Sequence, residues 1–350
     1  MKRLIIVASL AILAVGCQKT FVENEVQNTI GFNTEVGKQT RAIAGASYLT
    51  GQPFGVFSYG HENNAAVASS YPMSNVVARW DEDNSYFKPD GTYYWPNSAE
   101  TTLNFYAYSP YGFAEDYDFV HAEGTGFIFE GYIHQDTKLD FMTATPVVGA
   151  TFNDQNGEAT DKDPKDASVP FVFNHMMTQV VFNVKTDKAY AATPDDKVDG
   201  ITFTVNSITL NDIYNQADFS ELAQTPWSGY DKVDFTDNDV DDAGVYNIDF
   251  TAKAVTNNVV LTTEGVTMIP QTLEEENQSF TINYTIEGKG VATETVSKTV
   301  DLKVSNFAAW APNMKVTYNV KLGLNNQITF TASVGGWDET SNPDAITILQ

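Results

Sequence analysis

The sequence predicts an all-β protein built as two antiparallel β-sandwich domains in tandem. Three observations carry this reading. Short runs alternate apolar and polar residues along almost the whole chain, as half-buried strands require. Val, Ile, Thr, Tyr and Phe fill those runs, while no long stretch has helical periodicity. Gly, Asn and Asp recur between the runs, which suits hairpin connections and antiparallel pairing.

The N-terminus comes first. Lys2 and Arg3 precede an apolar stretch of twelve residues, Leu4–Val15. A bilayer span needs about 20 apolar residues, so residues 1–16 read as a cleavable export signal. The stretch ends Ala14-Val15-Gly16-Cys17, and Cys17 is the only cysteine in the chain. Small residues before a cysteine are what a lipoprotein signal peptidase admits. Cys17 is therefore the expected lipidation site, its acyl chains (palmitate among them) anchoring the precursor. Gln18 rather than Asp follows it, which points to the outer membrane; Ala14 in place of the commoner Leu is a mild departure. An ordinary secretory signal with a chance cysteine is the alternative.

Next comes one isolated strand pattern. Ile30, Phe32 and Val36 alternate with Gly31, Asn33 and Glu35, with Thr34 on the apolar side. Gly37–Thr40, Arg41 and Ala42 follow as a polar linker of the kind proteases cut. On the residues alone, an edge strand followed by a surface arginine is the favoured reading of this segment.

Further strands are predicted at Leu103–Ala107, Val180–Val184, Ile201–Val205, Ile208–Leu210, Phe280–Ile286, Val316–Leu322 and Ile328–Val334. Short helical turns fit Asn64–Ser69 and Tyr214–Leu222. The polar segment Phe152–Ala167 suggests a boundary, giving domains 42–166 and 167–350. At the end, Ala345–Gln350 alternates again, with Ile346 and Ile348 on one face. This tail is either a last strand docked on its own domain or a strand donated to a neighbour.

Charge and motifs narrow the function. The net charge is −25, and loss of the two cations Lys2 and Arg3 with the leader takes the mature part to −27. So acidic a surface repels nucleic acid and anionic lipid. The mature chain keeps two arginines, Arg41 and Arg79, and has no cysteine pair to form a disulfide. His61, His121, His134 and His175 lack metal-ligand spacing, and no His-Glu-x-x-His, Gly-x-Ser-x-Gly or P-loop occurs. His175 lies inside a strand pattern and reads as a structural histidine. Asp234, Asp237, Asp239, Asp241, Asp242 and Gly244 resemble a calcium loop in composition only, because the Gly falls too late and no Glu closes it. Asp161, Asp163 and Asp166 are interrupted by Lys162 and Lys165, so both clusters read as solvated loops. No cofactor or metal is called for. Tyr71, Trp80, Tyr86, Tyr93, Tyr94 and Trp95 cluster in the first domain. They are either sandwich core or a stacking platform for a host glycan.

The run Val169-Pro170-Phe171-Val172-Phe173-Asn174-His175-Met176-Met177-Thr178-Gln179-Val180-Val181-Phe182-Asn183-Val184 resembles a signature of the Bacteroidetes fimbrillin family. Phe54–Tyr59, Tyr94–Pro96, Leu103–Pro110, Asp140–Ala144, Met268–Gln271 and Phe330–Trp337 are similar to other pieces of that family, in the same order. The resemblance implies two transthyretin-like β-sandwich domains, export as a lipoprotein, and removal of the N-terminal strand by an arginine-specific surface protease. Residues 17–41 would then be a propeptide whose strand plugs a groove, and cutting between Arg41 and Ala42 would free that groove for a strand from another fimbrial subunit. The expected product is a non-enzymatic surface fimbria supporting adhesion, with a host protein or glycan as a further partner.

Overall fold

The structure is a computed structural model. It describes residues 29–36, 51–62, 65–66, 73–96, 100–152, 168–187, 200–234, 243–255, 261–273, 278–288, 291–304, 307–324 and 328–337. Every named element is a strand. The first half contributes β1 (Phe32–Val36), β2 (Phe54–Glu62), β3 (Ala65–Ala66), β4 (Val76–Asp81), β5 (Tyr86–Pro89), β6 (Thr101–Ser109), β7 (Val120–Ala122), β8 (Gly126–Ile133), β9 (Met142–Ala144), β10 (Val147–Ala150) and β11 (Val169–His175). The second half contributes β12 (Thr178–Thr186), β13 (Ile201–Asn211), β14 (Gln216–Ser220), β15 (Trp227–Asp231), β16 (Tyr246–Ile248), β17 (Lys253–Val255), β18 (Leu261–Thr262), β19 (Val266–Met268), β20 (Ser279–Gly288), β21 (Val291–Asp301), β22 (Met314–Leu322) and β23 (Ile328–Gly336).

In the first half, β6, β9, β11, β1, β5, β4 and β2 pair in that order, and β2 pairs back onto β6, so the strands close a ring. Alternation explains its interior. Phe32, Phe54, Val56, Phe87, Leu103, Phe105, Val169, Phe171 and Phe173 are the apolar members of their strands, and they form one buried cluster. The second half is a two-sheet sandwich. One sheet has β12 between β22 and the short strands β18 and β19, with β23 outermost. The other has β13 between β20 and the short strands β16 and β17, with β21 outermost. Phe182, Phe203, Phe280, Tyr284, Tyr318 and Phe330 fill the space between them.

A fourth sheet, β15-β14-β8-β7, takes two strands from each half. It covers the outward face of β2 and β6. Phe57 and Tyr108 from those strands meet Phe127, Phe129, Phe141, Phe219 and Trp227 in a third apolar cluster, joined by Met177 and Ile269.

The structure departs from the sequence expectations in four places, the first being that Ala65–Ala66, the described part of the turn expected at Asn64–Ser69, is strand β3 paired with β2. β11 pairs with β1 and β9 inside the first ring, so the strand after the polar segment completes the first unit and does not open the second. The chain crosses between units at Met176 and Met177, where Trp227 Nε1 donates to the Met176 carbonyl at 2.7 Å. Tyr214–Leu222 contains β14 and no helical turn; its residues pair with both β8 and β15. Finally, two pairs are parallel, β1 with β11 and β12 with β22. In each case a long stretch of chain separates the partners, which a parallel connection requires and a hairpin does not.

Candidate subunit-docking slot

The slot is the space β1 occupies in the first ring. On one side, β1 runs parallel to β11 through five pairs, from Phe32↔Val169 to Val36↔Phe173. On the other, its register with β5 is the single pair Phe32↔Phe87. The chain just before β1 is pinned on both sides. Ile30 N donates to the Tyr93 carbonyl at 2.8 Å, and Val169 N donates to the Gly31 carbonyl at 2.9 Å. Thr29 adds a bridge to Tyr94.

The predicted alternation holds from Phe32 to Val36, whereas Gly31, expected on the polar side, is buried. Ile30, Phe32, Thr34 and Val36 point inward and are buried; Asn33 and Glu35 are exposed. Phe32 is the anchor. Its ring stacks on Phe171 with centroids 5.4 Å apart and meets Phe54 and Phe105 edge-on at 6.0 and 6.1 Å. Such pairings add to simple area burial because ring edges and faces carry opposite partial charge. Gly31 has a steric reason to lack a side chain: a Cβ there would lie 2.6 Å from Tyr86 Cδ2 and 2.8 Å from Cε2. Alternation alone marks Ile30, Phe32 and Val36; the Gly31 contact and the parallel register leave no signature in the sequence.

Cys17, Arg41, Ala42, Ile346 and Ile348 lie outside the described residues. So do Tyr71, Asp161, Asp163, Asp166, Asp237, Asp239, Asp241 and Asp242. Of the other aromatics considered for glycan stacking, Tyr86 and Trp95 are buried, and Trp80 and Tyr93 are half-buried against the ring core. Tyr94 is 37 % exposed. Four of the six are therefore packing residues.

The histidines serve structure. His175 Nδ1 lies 2.6 Å from the Asp140 carboxylate, both groups are buried, and the imidazole stacks on Trp337 at 4.3 Å. His61 meets Glu123 at 2.9 Å, and Asn104 donates to the same carboxylate at 2.8 Å. His121 stands 2.9 Å from the Tyr59 hydroxyl, and burial pulls its imidazole down to about 4. His134 is fully buried between the halves and is also pulled down to about 4 by desolvation. Its Nε2 faces the Thr267 carbonyl at 2.8 Å and must donate, because a carbonyl only accepts. Nδ1 of the neutral ring then accepts from the Tyr132 hydroxyl at 3.2 Å.

Around β1 the geometry offers backbone pairing and an apolar pocket. It is suited to holding a strand. Comparison with known proteins finds chains of similar fold. A crystal structure of a fimbrial protein from Bacteroides vulgatus is similar at 18% identity and a TM-score of 0.49, covering 89% of this chain and 100% of the other. One of a putative cell adhesion protein from Bacteroides ovatus is similar at 16% identity and a TM-score of 0.50, covering 90% and 99%. No curated protein matches. A family model described as fimbrillin-like matches residues 40–337. With most of its length covered by that match, the chain belongs to the fimbrillin-like family.

Proposed function

We propose that the chain is a structural subunit of a cell-surface fimbria. It is exported as a lipoprotein tethered through Cys17 to the outer membrane. An arginine-specific surface protease then cuts between Arg41 and Ala42, and β1 leaves its slot. A strand from another fimbrial subunit takes its place by β-augmentation. The tail Ala345–Gln350, with Ile346 and Ile348 on one face, is in turn offered to a neighbour. The two β units are read as tandem transthyretin-like domains.

One observation carries the reading. β1 lies in the first ring on a five-pair ladder to β11 with a buried aromatic anchor, yet its register with β5 is the single pair Phe32↔Phe87. A buried strand held along its length by one neighbour is what a removable plug should look like. Loss of β1 would leave backbone groups of β11 unpaired, at about 1–3 kcal/mol for each that stays buried, and a replacement strand recovers that cost.

The test is Arg41→Ala in the full chain. The variant should keep its N-terminus at Cys17, stay monomeric, and be excluded from surface fibres that the unaltered chain enters. Assembly of the variant with an uncut N-terminus would refute the mechanism.

A further inference from the structure

We propose that the slot under β1 selects a strand with glycine immediately before a large apolar residue, and so takes its strand from a different subunit and rejects the tail of a second copy of this chain. This rests on the strand-exchange reading above and adds the identity of the partner.

The selection has a steric part and a polar part. At position 31 any Cβ comes within 3 Å of the Tyr86 ring, and Tyr86 is buried within β5. At positions 30 and 32 the pocket is apolar and closed: Ile30 is 3 % exposed and Phe32 is 0 % exposed. The tail can be laid over these positions in either direction, with one of its apolar residues in the Phe32 pocket. With Ile348 there, position 31 receives Thr347 or Leu349. With Leu349 there, it receives Ile348 or Gln350. With Ile346 there, it receives Thr347 or Ala345. Every arrangement puts a Cβ against Tyr86. The smallest, Ala345, carries Asp344 into the Ile30 pocket, where a carboxylate would be stripped of water without a partner. The matching strand instead reads aliphatic, Gly, aromatic, any, small, any, aliphatic, after Ile30 to Val36.

The experiment uses the full chain cut at Arg41 by an arginine-specific protease, with the released residues up to 41 washed away, and three labelled peptides. One carries residues 29–36, one carries the same residues with Gly31→Val, and one carries residues 343–350. Binding is read by fluorescence anisotropy, and assembly by size-exclusion chromatography. The plug peptide should bind at least tenfold more tightly than either of the others, and the cut chain alone should remain monomeric. Tyr86→Ala should narrow the gap for the Gly31→Val peptide, whereas Tyr86→Phe should preserve it. Equal binding of the tail peptide, or self-assembly of the cut chain that vanishes on deleting residues 344–350, would overturn the inference while leaving strand exchange intact. Failure of the plug peptide itself to bind would overturn both.

Discussion

At the scale of single residues, His134 is the group whose chemistry is most constrained by its surroundings. It is fully buried, its two ring nitrogens are committed to Thr267 and Tyr132, and desolvation holds its imidazole at about 4 against an ordinary value of 6.5. The unfolded chain therefore binds a proton near pH 6.5 that the folded chain refuses until about pH 4. Stability from this group is complete above pH 6.5 and is lost as the pH falls toward 4, by about 3 kcal/mol in total. Urea unfolding at stepped pH should show that decline, and His134→Gln should flatten it relative to the parent. An unchanged slope in the variant would mean that other groups, His121 and the carboxylates among them, set the acid response. The sequence marks His134 as lacking metal spacing, but its role needs the Thr267 carbonyl, 133 residues away.

At the scale of elements, β1 is held unequally. β11 pairs along its whole length, while β5 meets it at Phe32 and the chain before it is fastened by Tyr93. A cut at Arg41, as proposed, would free the end of β1 that hangs from one neighbour, leaving the Phe32 anchor as the last obstacle. When residues up to 41 are cut off and washed away, amide exchange should accelerate in Val169–Phe173 and stay slow in β12, β20 and β22. Hydrogen-exchange mass spectrometry checks this; uniform acceleration across both halves would mean that β1 supports the whole fold. Strands of this kind were legible because an inward apolar face repeats every second residue. The pairing was not, since strand order depends on contacts far apart in sequence. Phe171 and Phe173 have the same alternation whether β11 closes the first unit or opens the second. Tyr214–Leu222 was misleading for a related reason: its strand is stabilised by β8, some 90 residues earlier, and not by its own propensity.

At the scale of the molecule, the halves are joined by more than a linker. β8 pairs with β14 across them, Trp227 packs among Phe129, Phe141 and Phe219, and its indole holds the Met176 carbonyl at the crossing point. The two halves should therefore melt in one calorimetric transition. Trp227→Ala, which empties a buried aromatic site and drops that hydrogen bond, should cost about 3–5 kcal/mol and separate the transition into two. Two transitions already present in the parent would show that the shared sheet does not couple them. The sequence puts a boundary at the polar segment Phe152–Ala167, and nothing local announces a sheet built from both halves. That shared sheet has a mechanical consequence. In a fibre assembled as proposed, each link is stiff from end to end, so bending and stretching are concentrated at the junctions between subunits. The compliance of the whole fibre is then set by the fit of one exchanged strand per joint.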